Sequence, residues 1–323
     1  MNNRFYSLNE YCKKTFGEKI YRLSLNGGMT CPNRDGTLST GGCIFCSEGG
    51  SGDFATAYDI SITAQIEAAK EQVQKKTDCK HFIAYFQAYT NTYAPIEHLR
   101  RIFTEAISHP DIVAISIGTR CDCLSEEVLD LLSQLNTQKP VWVELGLQTM
   151  HNKTHAMLNT HTTIEQYDVA VKALHSRGIS IITHVILGLP NESKEMMLDT
   201  IKHVASLSIQ TRSLSNKNIL PPMHGIKLQL LHILNGTALA EIYETKPFPL
   251  FALEEYCDFI VECLELLPQD MVIHRLTGDG PRKLLVAPLW STDKKRVLNS
   301  IQHTLKERNT YQGRLLNFIS DRK

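Results

Sequence analysis

Six apolar, β-branched runs recur along the chain, separated by five helical patterns, and this alternation constrains the fold more than any other feature. The runs cover 20–25, 81–86, 111–117, 141–147, 179–187 and 227–234. Several are continuously apolar, as parallel strands covered on both faces must be. The intervening segments 63–77, 96–107, 125–135, 164–177 and 194–207 repeat apolar residues at three-to-four spacing and are rich in Ala, Leu, Glu and Gln. Such a series predicts an α/β domain, either doubly wound or a full or partial barrel. No Gly-x-Gly-x-x-Gly follows a strand and no Gly-Lys-Ser/Thr loop occurs, which favours the barrel. The expected architecture is a partial (β/α)6 TIM-type barrel over 20–250. An N-terminal segment, 1–19, precedes it, and a helical and strand extension, 251–323, follows. Within the extension a helix is expected over 251–267, an apolar stretch over 271–276, and a charged helix from about 293. Segment 206–226, with Pro221, Pro222 and Gly225, reads as an irregular loop.

Thirty-four basic residues balance thirty-four acidic ones, so whole-chain charge gives no argument for a polyanion partner. The imbalance is local. Residues 293–323 carry eight Lys or Arg against Asp293, Glu307 and Asp321, which suits either a solvated helix face or contact with a phosphate backbone. The N-terminus lacks the apolar core of a signal peptide and no run reaches eighteen apolar residues, so a cytoplasmic protein is expected. Nine cysteines in a reducing compartment argue for metal ligation over disulfides.

Three of them define the candidate site. Cys43 and Cys46, two residues apart, place two thiolates on one turn, and the loop back to Cys31 holds Pro32, Gly36, Gly41 and Gly42, which let it curl. The cluster directly follows the first strand, where barrel enzymes place their chemistry. A closed structural zinc would want a fourth ligand, whereas a [4Fe–4S] cluster on three cysteines leaves one iron open. Cys121 and Cys123 make a poor chelate by themselves, although Cys123 could be redox-active. Cys257 and Cys263 fit core positions on a helix.

The loop resembles the cluster loop of radical S-adenosylmethionine (SAM) enzymes. It is most similar to the branch that includes the Elongator catalytic subunit, and within it to the smaller YhcC/YtqA group. The spacing from Cys31 to Cys43 exceeds the commonest form of that motif, but further segments carry the likeness. These are Gly-Thr-Arg120-Cys-Asp122 after the third strand, Glu144-Leu-Gly-Leu-Gln148 on the fourth, and His184-Val-Ile-Leu-Gly-Leu-Pro on the fifth. The segment Arg275-Leu-Thr-Gly-Asp-Gly-Pro281 resembles the smaller group in particular.

The resemblance implies a [4Fe–4S] cluster held by Cys31, Cys43 and Cys46. It also implies SAM at the open iron and reductive cleavage to a 5′-deoxyadenosyl radical, the cofactor performing the hard step. Candidate SAM contacts are Gln87, Thr90, Arg120, Asp122, Glu144, Gln148 and His184. Glu144, inside an apolar strand, must either reach the barrel mouth or pair with a buried base such as Arg120. His184 reads more readily as a hydrogen-bonded core histidine than as a catalytic one, and His161, near the position of the branch's Asn-x-x-His, reads equally as a helix-start residue. The substrate implied by the branch is tRNA, at the C5 side chain of wobble uridine. The step would be conversion of a carboxymethylaminomethyl to an aminomethyl group, with a flavodoxin or ferredoxin as electron donor and a methyltransferase acting afterwards. Two rivals remain open: radical chemistry on a small metabolite such as a tetrapyrrole carboxylate, and a non-catalytic zinc protein.

Overall fold

The computed structural model describes residues 4–50, 61–75, 77–213, 222–278 and 280–316. Its strands are β1 (Tyr21–Leu25), β2 (Phe82–Phe86), β3 (Ile112–Thr119), β4 (Val141–Gln148), β5 (Ser180–Leu187), β6 (His224–Leu230), β7 (Ile233–Leu234), β8 (Val272–Arg275) and β9 (Leu285–Ala287). The α-helices are α1 (Leu8–Phe16), α2 (Ile62–Gln74), α3 (Ile96–Ser108), α4 (Glu126–Asn136), α5 (Asn152–Met157), α6 (Ile164–Ser176), α7 (Lys194–Ser213), α8 (Ala238–Thr245), α9 (Leu253–Glu265) and α10 (Lys294–Glu307). Seven strands form one parallel sheet in the order β1-β2-β3-β4-β5-β6-β8, curled as a partial TIM-type barrel; β7 and β9 pair separately. Among the described residues, no helix is long and apolar enough to cross a membrane.

The period of two along each strand decides what the barrel contains. One interior layer is apolar: Ile83, Ala114, Trp142, Ile182 and Val272 pack with Cys12, and Tyr11 and Phe16 of α1 press on them. Tyr11 meets Trp142 edge-on, with ring centroids 5.8 Å apart, so α1 closes the N-terminal end of the barrel. Full burial of each of these large side chains contributes roughly 2–3 kcal/mol. Two residues further along the strands the layer is polar, with Tyr85, Ser116, Glu144 and His184 at the matching positions. The helices cover the outer face of the sheet with the main apolar cluster, to which Leu99, Phe103, Leu132, Leu174 and Phe259 belong.

The chain departs from the sequence reading around the sixth strand. Helix α7 runs to Ser213, six residues past the expected end at 207, so 206–213 is helical rather than irregular and 224–226 is strand; 214–221 lies outside the described residues. Two features extend the helix. Leu207, Ser208 and Thr211 are buried, and the Thr211 hydroxyl donates to the Leu207 carbonyl at 3.0 Å, keeping a polar side chain satisfied inside the packing. The expected strand over 227–234 begins earlier, at His224, and divides into β6 and β7 on either side of Leu231 and His232. The 271–276 stretch supplies β8, which joins the same parallel sheet beside β6. Of the basic C-terminal segment, 317–323 lies outside the described residues.

Candidate active site

At the C-terminal end of the strands, Cys31, Cys43 and Cys46 line one cavity of about 150 Å³. The loop that brings them together is held by its own polar groups. The Cys46 N–H donates to the Cys43 carbonyl at 3.0 Å, and the Gly42 N–H to the Asn33 carbonyl at 2.7 Å. Gly42 takes φ +73, a conformation that favours glycine. Buried Asn33 donates through Nδ2 to the Asn159 carbonyl at 2.5 Å and approaches Cys43 Sγ at 3.4 Å. Asn159 returns a bond to the Gly42 carbonyl at 2.8 Å. The Arg34 guanidinium collects the carbonyls of Cys46 and Ser47 at 3.0 and 2.6 Å.

The donor set discriminates between metal centres. A tetrahedral zinc with Zn–S near 2.3 Å would place its sulfurs about 3.8 Å apart. Three cysteines and no fourth line this cavity among the described residues. Three thiols without a fourth suit a [4Fe–4S] cluster that keeps one iron open better than a closed structural zinc. Burial, then the neighbouring Cys46, pushes the Cys43 thiol up to about 12.

Below this cavity the polar layer forms a charged ring. Glu144 is 1% exposed. Its Oε1 accepts from Ser116 Oγ at 2.8 Å and pairs with Arg22 at 3.1 Å. Its Oε2 faces His184 Nε2 at 2.7 Å and also pairs with Lys227. Lys227 Nζ donates to the Tyr85 hydroxyl at 3.2 Å, and Arg22 lies over the Tyr85 ring. Burial pushes the Glu144 carboxyl up, but Lys227, Arg22 and His184 outweigh it and hold the group well below the usual range. His184 is pushed down to about 4 by burial and by Lys227, so it is neutral at pH 7. Lys227 pairs in register with both His184 and Arg275, which brings three bases side by side on β5, β6 and β8. Arg22, Lys227 and Arg275 line a second cavity of about 460 Å³ that shares Cys46, Gln87, Gln148 and His184 with the first.

The remaining candidates fall into place around these cavities. Gln87, Gln148 and His184 line both, while Thr90 and Arg120 line the thiol cavity only. Gln148 adopts φ +62, and a Cβ at Gly146 would come within 2.9 Å of its amide, so this glycine makes room for it. Arg120 and Asp122 form a two-pronged ion pair at 2.9 and 2.7 Å. This corrects the suggested Glu144–Arg120 pairing: the bases that reach Glu144 are Arg22 and Lys227, because their strands point them into the same layer. His161 is exposed, and its neighbours Thr160 and Thr162 line the thiol cavity instead. Cys123 lines a separate groove of about 780 Å³ beside the cluster loop, and Cys257 and Cys263 are buried on α9.

Sequence reasoning missed Arg22, Tyr85, Lys227 and Arg275. A signal existed, since Arg22, Lys227 and Arg275 are isolated cations in apolar strand runs, the same anomaly that singled out Glu144.

Residues 31–204 match the radical SAM superfamily profile, and 223–307 match the radical SAM C-terminal domain. YtqA of Bacillus subtilis is 40% identical over 318 residues, 98% of this chain and 94% of that protein. A tRNA uridine(34) acetyltransferase of Methanocaldococcus infernus is 25% identical over 174 residues, 54% of this chain and 30% of that enzyme. Among solved structures, an N-terminally truncated Elp3 from M. infernus superposes with a TM-score of 0.64 at 18% identity, over 91% of this chain and 64% of that one. The last likeness concerns the fold. The chain therefore belongs to the radical SAM superfamily, whose cofactors, a [4Fe–4S] cluster and S-adenosylmethionine, are its own.

Proposed function

We propose that this radical SAM enzyme acts on tRNA, at the C5 side chain of the wobble uridine, converting a carboxymethylaminomethyl to an aminomethyl group. The observation that carries the reading is the cationic barrel interior. Among the described residues, Arg22, Lys227 and Arg275 gather on one wall beside the Glu144 carboxylate, next to the thiol cavity, and suit a substrate side chain that ends in a carboxylate. The partial similarity to an enzyme named for uridine 34 of tRNA supports the choice of substrate.

In this reading Cys31, Cys43 and Cys46 would hold the cluster, with SAM beside them in the thiol cavity. When bound, the pair would supply abstraction of a hydrogen atom from the carboxymethyl carbon beside the amine; with SAM as the two-electron oxidant, water would then release the two-carbon unit as glyoxylate and leave the aminomethyl group. The protein's own contribution is positional. Gln87, Thr90 and Gln148 offer polar contacts to SAM, with Arg120 held in orientation by Asp122. Glu144 keeps Arg22 and Lys227 aligned, and neutral His184 faces the shared wall of the two cavities. The unit over 20–250 carries the chemistry, while 251–323 contributes Arg275. A flavodoxin or ferredoxin would deliver the electron, and a methyltransferase would use the product.

The test is the nucleoside profile of bulk tRNA from cells with and without the gene. Accumulation of the carboxymethylaminomethyl uridine, reversed by wild type but not by Cys46→Ala, is the expected result. An unchanged profile would discard the tRNA substrate and turn attention to small carboxylates, which the same cationic lining accommodates.

A further inference from the structure

Outside the barrel, a cavity of about 610 Å³ is lined by Arg282, Lys294 and Lys295 together with His232, Gly278 and Gly280. The last three residues also line the cationic interior cavity. The two spaces therefore meet at His232. A Cβ at Gly278 would lie 2.4 Å from the His232 ring, and one at Gly280 2.5 Å, so only glycines admit the imidazole at this junction. The His232 Nε2 is buried and has no hydrogen-bond partner among the described residues. These glycines belong to the Arg275–Pro281 segment, of which the proposed chemistry uses Arg275 alone.

The charge on the outer cavity is not what helix stability would select. Lys294, Lys295 and Arg296 occupy the first turn of α10, where the helix dipole disfavours cations, and no acid shares that turn. Residues 278–297, which include the cavity lining, hold five Lys or Arg against two acids, Asp279 and Asp293. Asp293 is engaged in capping the helix, accepting the Arg296 N–H at 3.0 Å. The site is concave and leads inward, so it fits a thread of phosphates better than a flat anionic surface.

We propose that the phosphate backbone of an RNA crosses this cavity on Arg282, Lys294 and Lys295, and that one nucleotide turns past His232 into the barrel. The inference rests on the tRNA reading and adds the route by which the polymer reaches the site. It combines a sequence-independent electrostatic hold with an unstacked base, a common arrangement for single-stranded loops.

Cluster-loaded full-length enzyme would be titrated with a fluorescent anticodon stem-loop at several salt concentrations. The exposed double variant Lys294→Glu/Lys295→Glu should bind about ten-fold more weakly, with a log Kd–log salt slope shallower by about two. Arg282→Ala should give a smaller loss in the same direction. Lys202→Glu, on the exposed side of α7, should bind as wild type does. Cluster absorbance and circular dichroism confirm that each variant is folded. Salt-dependent binding by wild type that the double variant retains in full would overturn this route and leave the tRNA substrate standing. An equal loss in Lys202→Glu would also overturn the route, since the effect would then be general charge. No binding of the stem-loop by wild type, even at low salt, would overturn both readings together.

Discussion

His184 Nε2 lies 2.7 Å from Oε2 of Glu144, the carboxylate oxygen on which Lys227 also closes. One buried anion thus orders bases from three other strands, with Arg22 on its second oxygen. Breaking one side of a buried pair costs about 3–5 kcal/mol, because the surviving charges stay desolvated. Glu144→Gln should therefore lower the free energy of unfolding by about 3 kcal/mol, read from denaturant titration. Adding Lys227→Met should recover part of the loss, since one stranded cation is removed. A double variant less stable than Glu144→Gln would contradict the pairing.

Cluster ligation separates two groups of cysteines. Alanine at Cys31, Cys43 or Cys46 should abolish the brown chromophore and bound iron of anaerobically purified protein. Alanine at Cys121 or Cys123 should leave both in place. Metal analysis gives the discriminating number, since about one zinc and no iron in wild type would exclude the cluster.

Asn33 touches no substrate but positions Cys43, through its bonds to Asn159 and its 3.4 Å approach to Sγ. Asn33→Ala should still fold and take up iron. Its cluster should bleach several-fold faster under a chelator, because one tie of a loop that must not move is lost. Equal bleaching rates would show that Arg34 and the backbone bonds suffice.

Acid should weaken the protein earlier than carboxylate titration alone would suggest. His175 Nδ1 and His224 Nε2 meet at 2.9 Å in a buried contact. Burial and Arg212 push His224 down to about 3, and burial also lowers His175. Below pH 6.5 the unfolded chain binds protons that these folded imidazoles refuse. Stability is therefore intact above that pH and falls as pH drops toward 4, by up to about 1.4 kcal/mol per pH unit for His224, with His175 acting in the same direction. Denaturation midpoints at pH 7.5 and 5.5 should show the decline, and His224→Gln should make it shallower. Identical slopes in both proteins would remove His224 as a cause.

Much of the architecture was open to local reading. The period-two and three-to-four patterns reflect backbone geometry that each segment carries by itself, so the succession of strands and helices could be read directly. The cysteine loop was equally legible, because a two-residue gap and a glycine-rich excursion limit geometry over a few residues. Reading failed where packing overrode local preference. The end of α7 carries Ser206, Ser208 and Thr211, residues that usually mark a helix end, yet the last two are buried and the Thr211 hydroxyl is satisfied by a backbone carbonyl.

The sequence by itself determined that Glu144, Arg22, Lys227 and Arg275 would each be a costly charge in a strand. Only the tertiary structure decided which of them meet. Alternation chooses the face of a strand but not its neighbour, and Lys227 reaches Glu144 across 83 residues of chain. The same holds for the junction at His232, where two glycines and one histidine distant in sequence join an inner and an outer cavity. Strand order and register bring such groups together, and those are properties of the closed sheet rather than of any segment within it.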